Sequence, residues 1–329
     1  MRVLTVTNMW PRRDRPAFGA FVRSQVQSLE ALGLDMALHV IEGDRGASSY
    51  ALDIPLVRRA VRRFRPDLVH AHYGLSGWTA AWQPVPLVVS FCGDDLLGTP
   101  SGRGGRTLKS RVAIGMSRYA ARRARAIICK SRNLADALPR ASDRERAEVI
   151  PNGVNVELFA PGERSAARRR LGLDPAEPLV LFPHAREQQV QKGFDLADAA
   201  MRRVASARPG ARLLHVQGVP HSRMPDYYRA ADCLLLTSRS EGSANVVKEA
   251  IACGCPVVGV DAGDAREWLL RVPGCRLVER SPEAIGEAVV AVLAAPGRVD
   301  PSPVLADLDE RAVARRIRSV YERATGRTG

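Results

Sequence analysis

Short uninterrupted apolar runs alternate along the chain with longer stretches whose apolar residues recur every three or four positions. The runs RVLTVT (2–7), MALHVI (36–41), DLVHA (67–71), PLVVSF (86–91), AIICK (126–130) and AEVI (147–150) form one set. PLVLFP (178–183), ARLLHV (211–216), DCLLLT (232–237), PVVGV (256–260) and CRLVE (275–279) form a second. Runs without polar alternation predict strands covered on both faces, and the helical stretches between them predict right-handed βαβ crossovers. The expected architecture is α/β, two doubly wound domains in series. A stretch rich in Pro, Gly and Asn, PNGVNVELFAPGERS (151–165), suits the connection between them. The predicted bounds are 1–155 and 156–307, with the amphipathic tail LDERAVARRIRSVYERA (308–324) as one more helix, a candidate to pack back on the first domain. At 329 residues the chain is long enough for each domain to bury its own core.

Charge adds a question. The formal net charge is +14, of which residues 1–165 carry +10 (25 basic, 15 acidic). Much of it sits in VRRAVRRFRP (57–66) and MSRYAARRARA (116–126), where arginines share helical stretches with Ala, Val and Phe. Stacking aromatics and a readable recognition helix are missing from the sequence, so nucleic acid is not an expected partner. Solvated helix faces, or contact with an anionic membrane or lipid phosphate, account for the excess. The six cysteines form no CxxC pair and have no zinc-type spacing, so they read as reduced core residues. Neither a signal peptide nor a membrane-spanning run is visible, and a cytoplasmic chain is expected, with the inner face of the membrane as the place where its basic excess would act.

In sheets of this kind ligands bind beyond the carboxyl ends of the strands. The stretch EGSANVVKEAIACGCPVVGV (241–260) follows one such strand. It predicts a helix capped near Ser243 and stopped before Gly254, with Val246, Val247, Ala250 and Ile251 facing the sheet. The N–H groups of Ser243, Ala244 and Asn245 and the helix dipole would suit a phosphate. Glu249 would lie about 9 Å further along the axis, the separation of a terminal phosphate from its ribose. Glu241, ahead of the helix, would face whatever the diphosphate carries.

The pattern Glu241-x7-Glu249 resembles the EX7E motif of GT-B glycosyltransferases, most closely the retaining family 4 group. PDLVHAHYGLSG (66–77), VIPNGVN (149–155), GVPHSRMPDYYRAADCLLLTSRSEGS (218–243) and VDAGDAREWL (260–269) resemble further segments of that family, in order, over nearly the whole chain. The resemblance implies two Rossmann-like domains facing each other across a cleft, the first for the acceptor and the second for the nucleotide sugar. It implies that Glu241 touches the donor sugar and Glu249 the ribose, while Arg186 and Lys192 of HAREQQVQKGFDLA clamp the diphosphate. Gly19 would let the first loop approach the donor. His72, Asp94 and Asp95 are acceptor-side candidates, and Cys92 departs from the His the family commonly has there. No metal and no cofactor are expected; the donor is a nucleotide sugar and the acceptor a hydroxyl on a molecule whose anionic or lipid-linked character the basic charge suggests. Three other readings stay open: a GT-B nucleotide-sugar 2-epimerase, a noncatalytic nucleotide-sugar binding protein, and a basic nucleic-acid binder.

Overall fold

The computed structural model describes residues 1–16, 18–98, 107–183 and 189–327. It divides into two compact units, Met1–Arg13 with Phe18–Gly153 and Glu310–Gly329, and Val154–Asp309 with Asp14–Ala17.

The first unit runs β1 (Arg2–Thr7), α1 (Ala20–Ala31), β2 (Asp35–Val40), α2 (Ser48–Phe64), β3 (Leu68–His72), α3 (Gly74–Ala80), β4 (Leu87–Phe91), α4 (Asp94–Leu97), α5 (Leu108–Arg123), β5 (Ala126–Cys129), α6 (Arg132–Asp136), α7 (Ala141–Glu145) and β6 (Ala147–Val149). Its six strands are parallel in the order β2-β1-β3-β4-β5-β6. Side chains alternate across the sheet: Leu4, Val6, Val69, Ala71, Val89 and Phe91 enter one core, while Val3, Leu68, Val88 and Ile128 enter another. Both faces are covered, which is why these strands read as unbroken apolar runs. The second core is closed by the chain's last helix, whose Val313, Ala314, Ile317, Val320 and Tyr321 are buried in it. Tyr321 also shares a 2.6 Å hydrogen bond with His70 Nδ1 in β3.

The second unit runs α8 (Arg164–Leu171), β7 (Leu179–Phe182), α9 (Gln189–Lys192), α10 (Phe194–Ala207), β8 (Arg212–His215), α11 (Met224–Ala230), β9 (Cys233–Leu236), α12 (Asn245–Ala252), β10 (Val257–Gly259), α13 (Ala265–Leu269), β11 (Arg276–Leu277), α14 (Pro282–Ala294) and α15 (Ser302–Leu308); α16 (Glu310–Thr325) is the last helix, in the first unit. Its parallel sheet has the order β11-β10-β9-β7-β8. The chain leaves β7 toward β8 on one side and returns to β9 on the other, so the sheet's switch point lies between β7 and β9. A crevice for a ligand opens at the carboxyl ends of such a strand pair. In the first sheet the corresponding pair is β1 and β3.

Candidate functional site

The segments that follow β7 and β9 bring two expected residues together. Lys192 ends α9 after β7, Glu241 follows β9, and Lys192 Nζ lies 2.6 Å from Glu241 Oε1. Gly193 makes this approach feasible. It adopts φ 68°, and a Cβ there would stand 2.1 Å from the Thr237 carbonyl oxygen, so only glycine fits. Thr237 Oγ1 donates to the carbonyls of Lys192 and Gly193, both at 2.9 Å, which ties the lysine loop to the end of β9. Ser238 Oγ donates to the same Glu241 oxygen at 2.7 Å. The other expected diphosphate cation, Arg186, lies outside the described residues.

Glu249 is buried in α12, and both of its oxygens are held. Tyr228 OH donates to Oε2 at 2.7 Å and His221 Nε2 meets Oε1 at 2.8 Å. Burial first, and then the Glu249 charge, push the Tyr228 hydroxyl well above its ordinary pKa, so it stays a donor. The carboxylate is thereby oriented, with the half-exposed His221 the more readily displaced of its two partners.

The helix entrance differs from expectation. α12 begins at Asn245 rather than near Ser243 because Asp264, twenty residues on, takes over the capping. Asp264 Oδ1 accepts the Ala244 N–H at 2.7 Å, and Oδ2 accepts from Ser243 Oγ at 2.9 Å. Buried Lys248 completes the cluster, 2.5 Å from Ser243 Oγ and 3.3 Å from Asp264 Oδ2. The Asn245 N–H turns to the Ser243 carbonyl at 3.0 Å. The Ala244 and Asn245 amides are therefore committed within the protein rather than open to an anion, and the loop between Glu241 and the helix is braced from behind. Glu249 stands four residues into the helix, about 6 Å along its axis, nearer the entrance than the expected 9 Å.

In the first unit, Gly19 has φ 73° and a Cβ on it would come within 2.4 Å of the Met9 carbonyl carbon, so the loop after β1 closes on the start of α1 only with glycine. His72, at the carboxyl end of β3, is fully buried. Burial, then His70 and Lys130, hold its pKa well below the ordinary value. Gln25 from α1 donates its amide to His72 Nε2 at 3.2 Å and accepts from buried Lys130 Nζ at 3.1 Å. The imidazole proton then sits on Nδ1, which has no hydrogen-bond partner among the described residues. Asp95 is also buried, and it accepts backbone N–H groups of Gly93 at 2.7 Å, Gly74 at 2.9 Å and Cys92 at 3.1 Å. Burial outweighs those bonds and pushes its carboxyl up to about 6. Its oxygens brace the turns after β3 and β4 rather than facing outward; Asp94 beside it is exposed. The Cys92 thiol is pushed up by burial and, next, by Asp95, so it is no thiolate. Among the described residues no group of His, Cys, Asp or Glu is arranged to hold a metal ion.

Residues outside the sequence-based set thus hold the expected ones in place: in the second unit Thr237, Ser238, Asp264 and Lys248 around Glu241 and its loop, and His221 and Tyr228 around Glu249; in the first unit Gln25 and Lys130 around His72. A signal existed for those in the second unit: His221, Tyr228, Thr237 and Ser238 lie in the 218–243 segment, Asp264 in VDAGDAREWL, and Lys248 between the two glutamates of the motif.

Comparison with known proteins gives a consistent picture. The Glycosyltransferase Family 4 model matches residues 4–158, and that of Glycosyl transferases group 1 matches residues 193–295. A D-inositol 3-phosphate glycosyltransferase from Segniliparus rotundus is 34% identical over 48% of this chain and 42% of the relative. One from Xylanimonas cellulosilytica is 31% identical over 70% and 64%. The chain therefore spans less than two thirds of the length of these two relatives. The putative teichuronic acid biosynthesis glycosyltransferase TuaC of Bacillus subtilis is 26% identical over 88% of each chain. Among solved structures, sucrose-phosphate synthase from Thermosynechococcus elongatus superposes with a TM-score of 0.83 at 19% identity over 99% of both chains. Anabaena HepE in complex with UDP and glucose gives 0.67 at 19% identity, over 97% and 98%. The fold is the one these structures share, GT-B.

Proposed function

Since the chain belongs to the family 4, group 1 glycosyltransferases, we propose that it moves a sugar from a nucleoside diphosphate to an acceptor hydroxyl with retention at the anomeric carbon. The observation that carries this reading is the Lys192–Glu241 pair at the switch point of the second sheet, with Glu249 held eight residues beyond on the following helix. Lys192 supplies positive charge where the diphosphate leaves, and Glu241, which holds the lysine through Oε1, has its second oxygen for the donor sugar's hydroxyls. Glu249 accepts from the ribose after His221 gives way, while Tyr228 keeps the carboxylate in place.

The step balances without a covalent nucleophile. The bond from the anomeric carbon to the phosphate oxygen breaks, and the acceptor oxygen bonds to that carbon on the same face. The acceptor proton passes to the departing phosphate oxygen, and Lys192 offsets the charge that builds there. This chemistry asks for no metal. The names of the relatives and the basic charge of residues 1–165 favour an acceptor that is itself anionic.

The test is to incubate the purified chain with UDP-, GDP- and ADP-sugars and phosphorylated polyol or glycolipid acceptors. Nucleoside diphosphate release and the product's anomeric configuration by NMR are the readouts. Acceptor-dependent release with retained configuration is expected. An inverted product, or a donor sugar altered without acceptor, would overturn the reading.

A further inference from the structure

From Leu96 to Ala135 the sequence holds no acidic residue and ten Lys or Arg. Helix α5 lies in this stretch. Its inner side, Ile114, Ser117, Ala120 and Ala121, is buried against the first unit. Its outer side is apolar along the middle, with Leu108 77% exposed and Val112 55% exposed. At about 100° per residue, Leu108, Val112 and Tyr119 share an arc of about 40°. The Tyr119 ring stacks on Trp82, centroids 5.5 Å apart, and Trp82 is itself 44% exposed, so an aromatic pair extends the stripe.

Cations border this stripe on both sides. Lys109 and Arg123 flank one edge and Arg111, Arg118 and Arg122 the other; all five are exposed, and none pairs with a carboxylate among the described residues. Just past the helix, Arg125 joins Arg123 and Arg146 in lining an open cavity of about 910 Å³ with no acidic side chain among the described residues of its wall. Solvation alone explains exposed arginines but not a leucine and a valine left in water between them. A nucleic acid would use the charge and leave the apolar stripe without a role. An amphipathic helix with a basic rim and an aromatic pair matches the lipid–water interface, where apolar groups enter the acyl boundary and cations meet phosphates.

We propose that the outer face of α5 docks the chain on an anionic phospholipid surface. Leu108, Val112 and the Trp82–Tyr119 pair enter the interface, and the flanking cations engage lipid phosphates. The contact is peripheral, since no helix of the described residues is long and apolar enough to cross a membrane. The inference goes beyond the transfer reading and does not depend on it.

The experiment is flotation of the full chain with vesicles of phosphatidylcholine alone or mixed with phosphatidylglycerol. Binding to the mixed vesicles only is expected, weakening as salt is raised. Arg118→Glu with Arg122→Glu should weaken it about thirtyfold or more, because each cation near the surface contributes about fivefold and reversal costs more than removal. Leu108→Glu with Val112→Glu should also abolish flotation, with an unfolding midpoint like the parent's. The charge-matched control, Arg62→Glu with Arg63→Glu in α2, should stay within a few-fold of the parent. Equal loss in that control would make the binding a property of net charge and overturn the assignment. So would absent vesicle binding, DNA-duplex binding that survives the Leu108 and Val112 changes, or a lipid-free dimer that those changes dissociate.

Discussion

Lys192 Nζ and Glu241 Oε1 stand 2.6 Å apart although 49 positions separate them in the chain, and Ser238 Oγ bonds the same oxygen. The lysine is held by a carboxylate that is fixed in turn, so its charge is positioned before any charge develops on a leaving group. Groups arranged in this way act more strongly in the transition state than in the ground state.

Lys192→Ala is therefore expected to lower kcat by about a hundred- to a thousandfold, or about 2.7 to 4 kcal/mol, with a smaller effect on KM. Steady-state kinetics alongside circular dichroism provides the check. Turnover within about threefold of the parent would reduce Lys192 to a surface cation.

Glu249→Ala should weaken nucleoside diphosphate binding by about 1.5 to 3 kcal/mol, the range for hydrogen bonds to a charged group. His221→Ala should leave that affinity equal or raise it, because the imidazole occupies Oε1, the atom that the proposed function gives to the ribose. Calorimetry reads both variants. A weakened His221→Ala would mean that the histidine supports the nucleotide rather than yielding to it.

Lys248→Met removes the cation from a buried pair and leaves Asp264, among the described residues, with Ser243 and the Ala244 amide. The expected cost is about 3 to 5 kcal/mol of stability. Denaturant titration measures it; a loss below about 1 kcal/mol would show that the two hydrogen bonds suffice.

Acid should weaken the first unit through its buried histidines. Burial, then Lys130, hold His70 near 3, and His72 lies well below its ordinary 6.5. Below about pH 6.5 the unfolded chain takes up protons that these folded imidazoles refuse. Their contribution is complete above that pH and is lost as pH falls toward the folded values, at about 1.4 kcal/mol per pH unit for each histidine. Asp95 runs the other way: raised from 3.8 to about 6, it binds a proton in the folded chain first, so its contribution is present at low pH and is lost as pH rises through 6. His70→Gln should flatten the fall in stability between pH 6.5 and 4 by about 1.4 kcal/mol per unit relative to the parent. Parallel curves for the two proteins would refute the assignment.

Chelation by EDTA is expected to leave transfer unchanged, because the proposed step draws its positive charge from Lys192. Loss of activity restored by manganese would redirect attention to Asp94.

The strands were legible because parallel sheets covered on both faces demand unbroken apolar runs, as in RVLTVT and PLVLFP. Glu241, Glu249 and Lys192 were legible because they follow strand ends in recognisable segments. Their partners were not, since contact there depends on tertiary distance. Gln25 and Lys130 meet across 105 positions, and Asp264 reaches back twenty residues to displace Ser243 as the cap. A carboxylate-rich pair such as Asp94 and Asp95 gives no hint in sequence that one is exposed and the other is buried under backbone amides.

The return of α16 to the first sheet has a consequence for synthesis. The second unit is continuous in sequence apart from a short loop, whereas the first lacks one wall of its core until Val313, Ile317 and Tyr321 have been made. Domains emerging from the ribosome ordinarily finish in the order they are translated. Here the order is inverted: the later unit can close while the earlier one still exposes Val3, Leu68, Val88 and Ile128 to solvent and chaperones. A released chain truncated after Asp309 should therefore resist protease across residues 154–309 and be cut within residues 1–153.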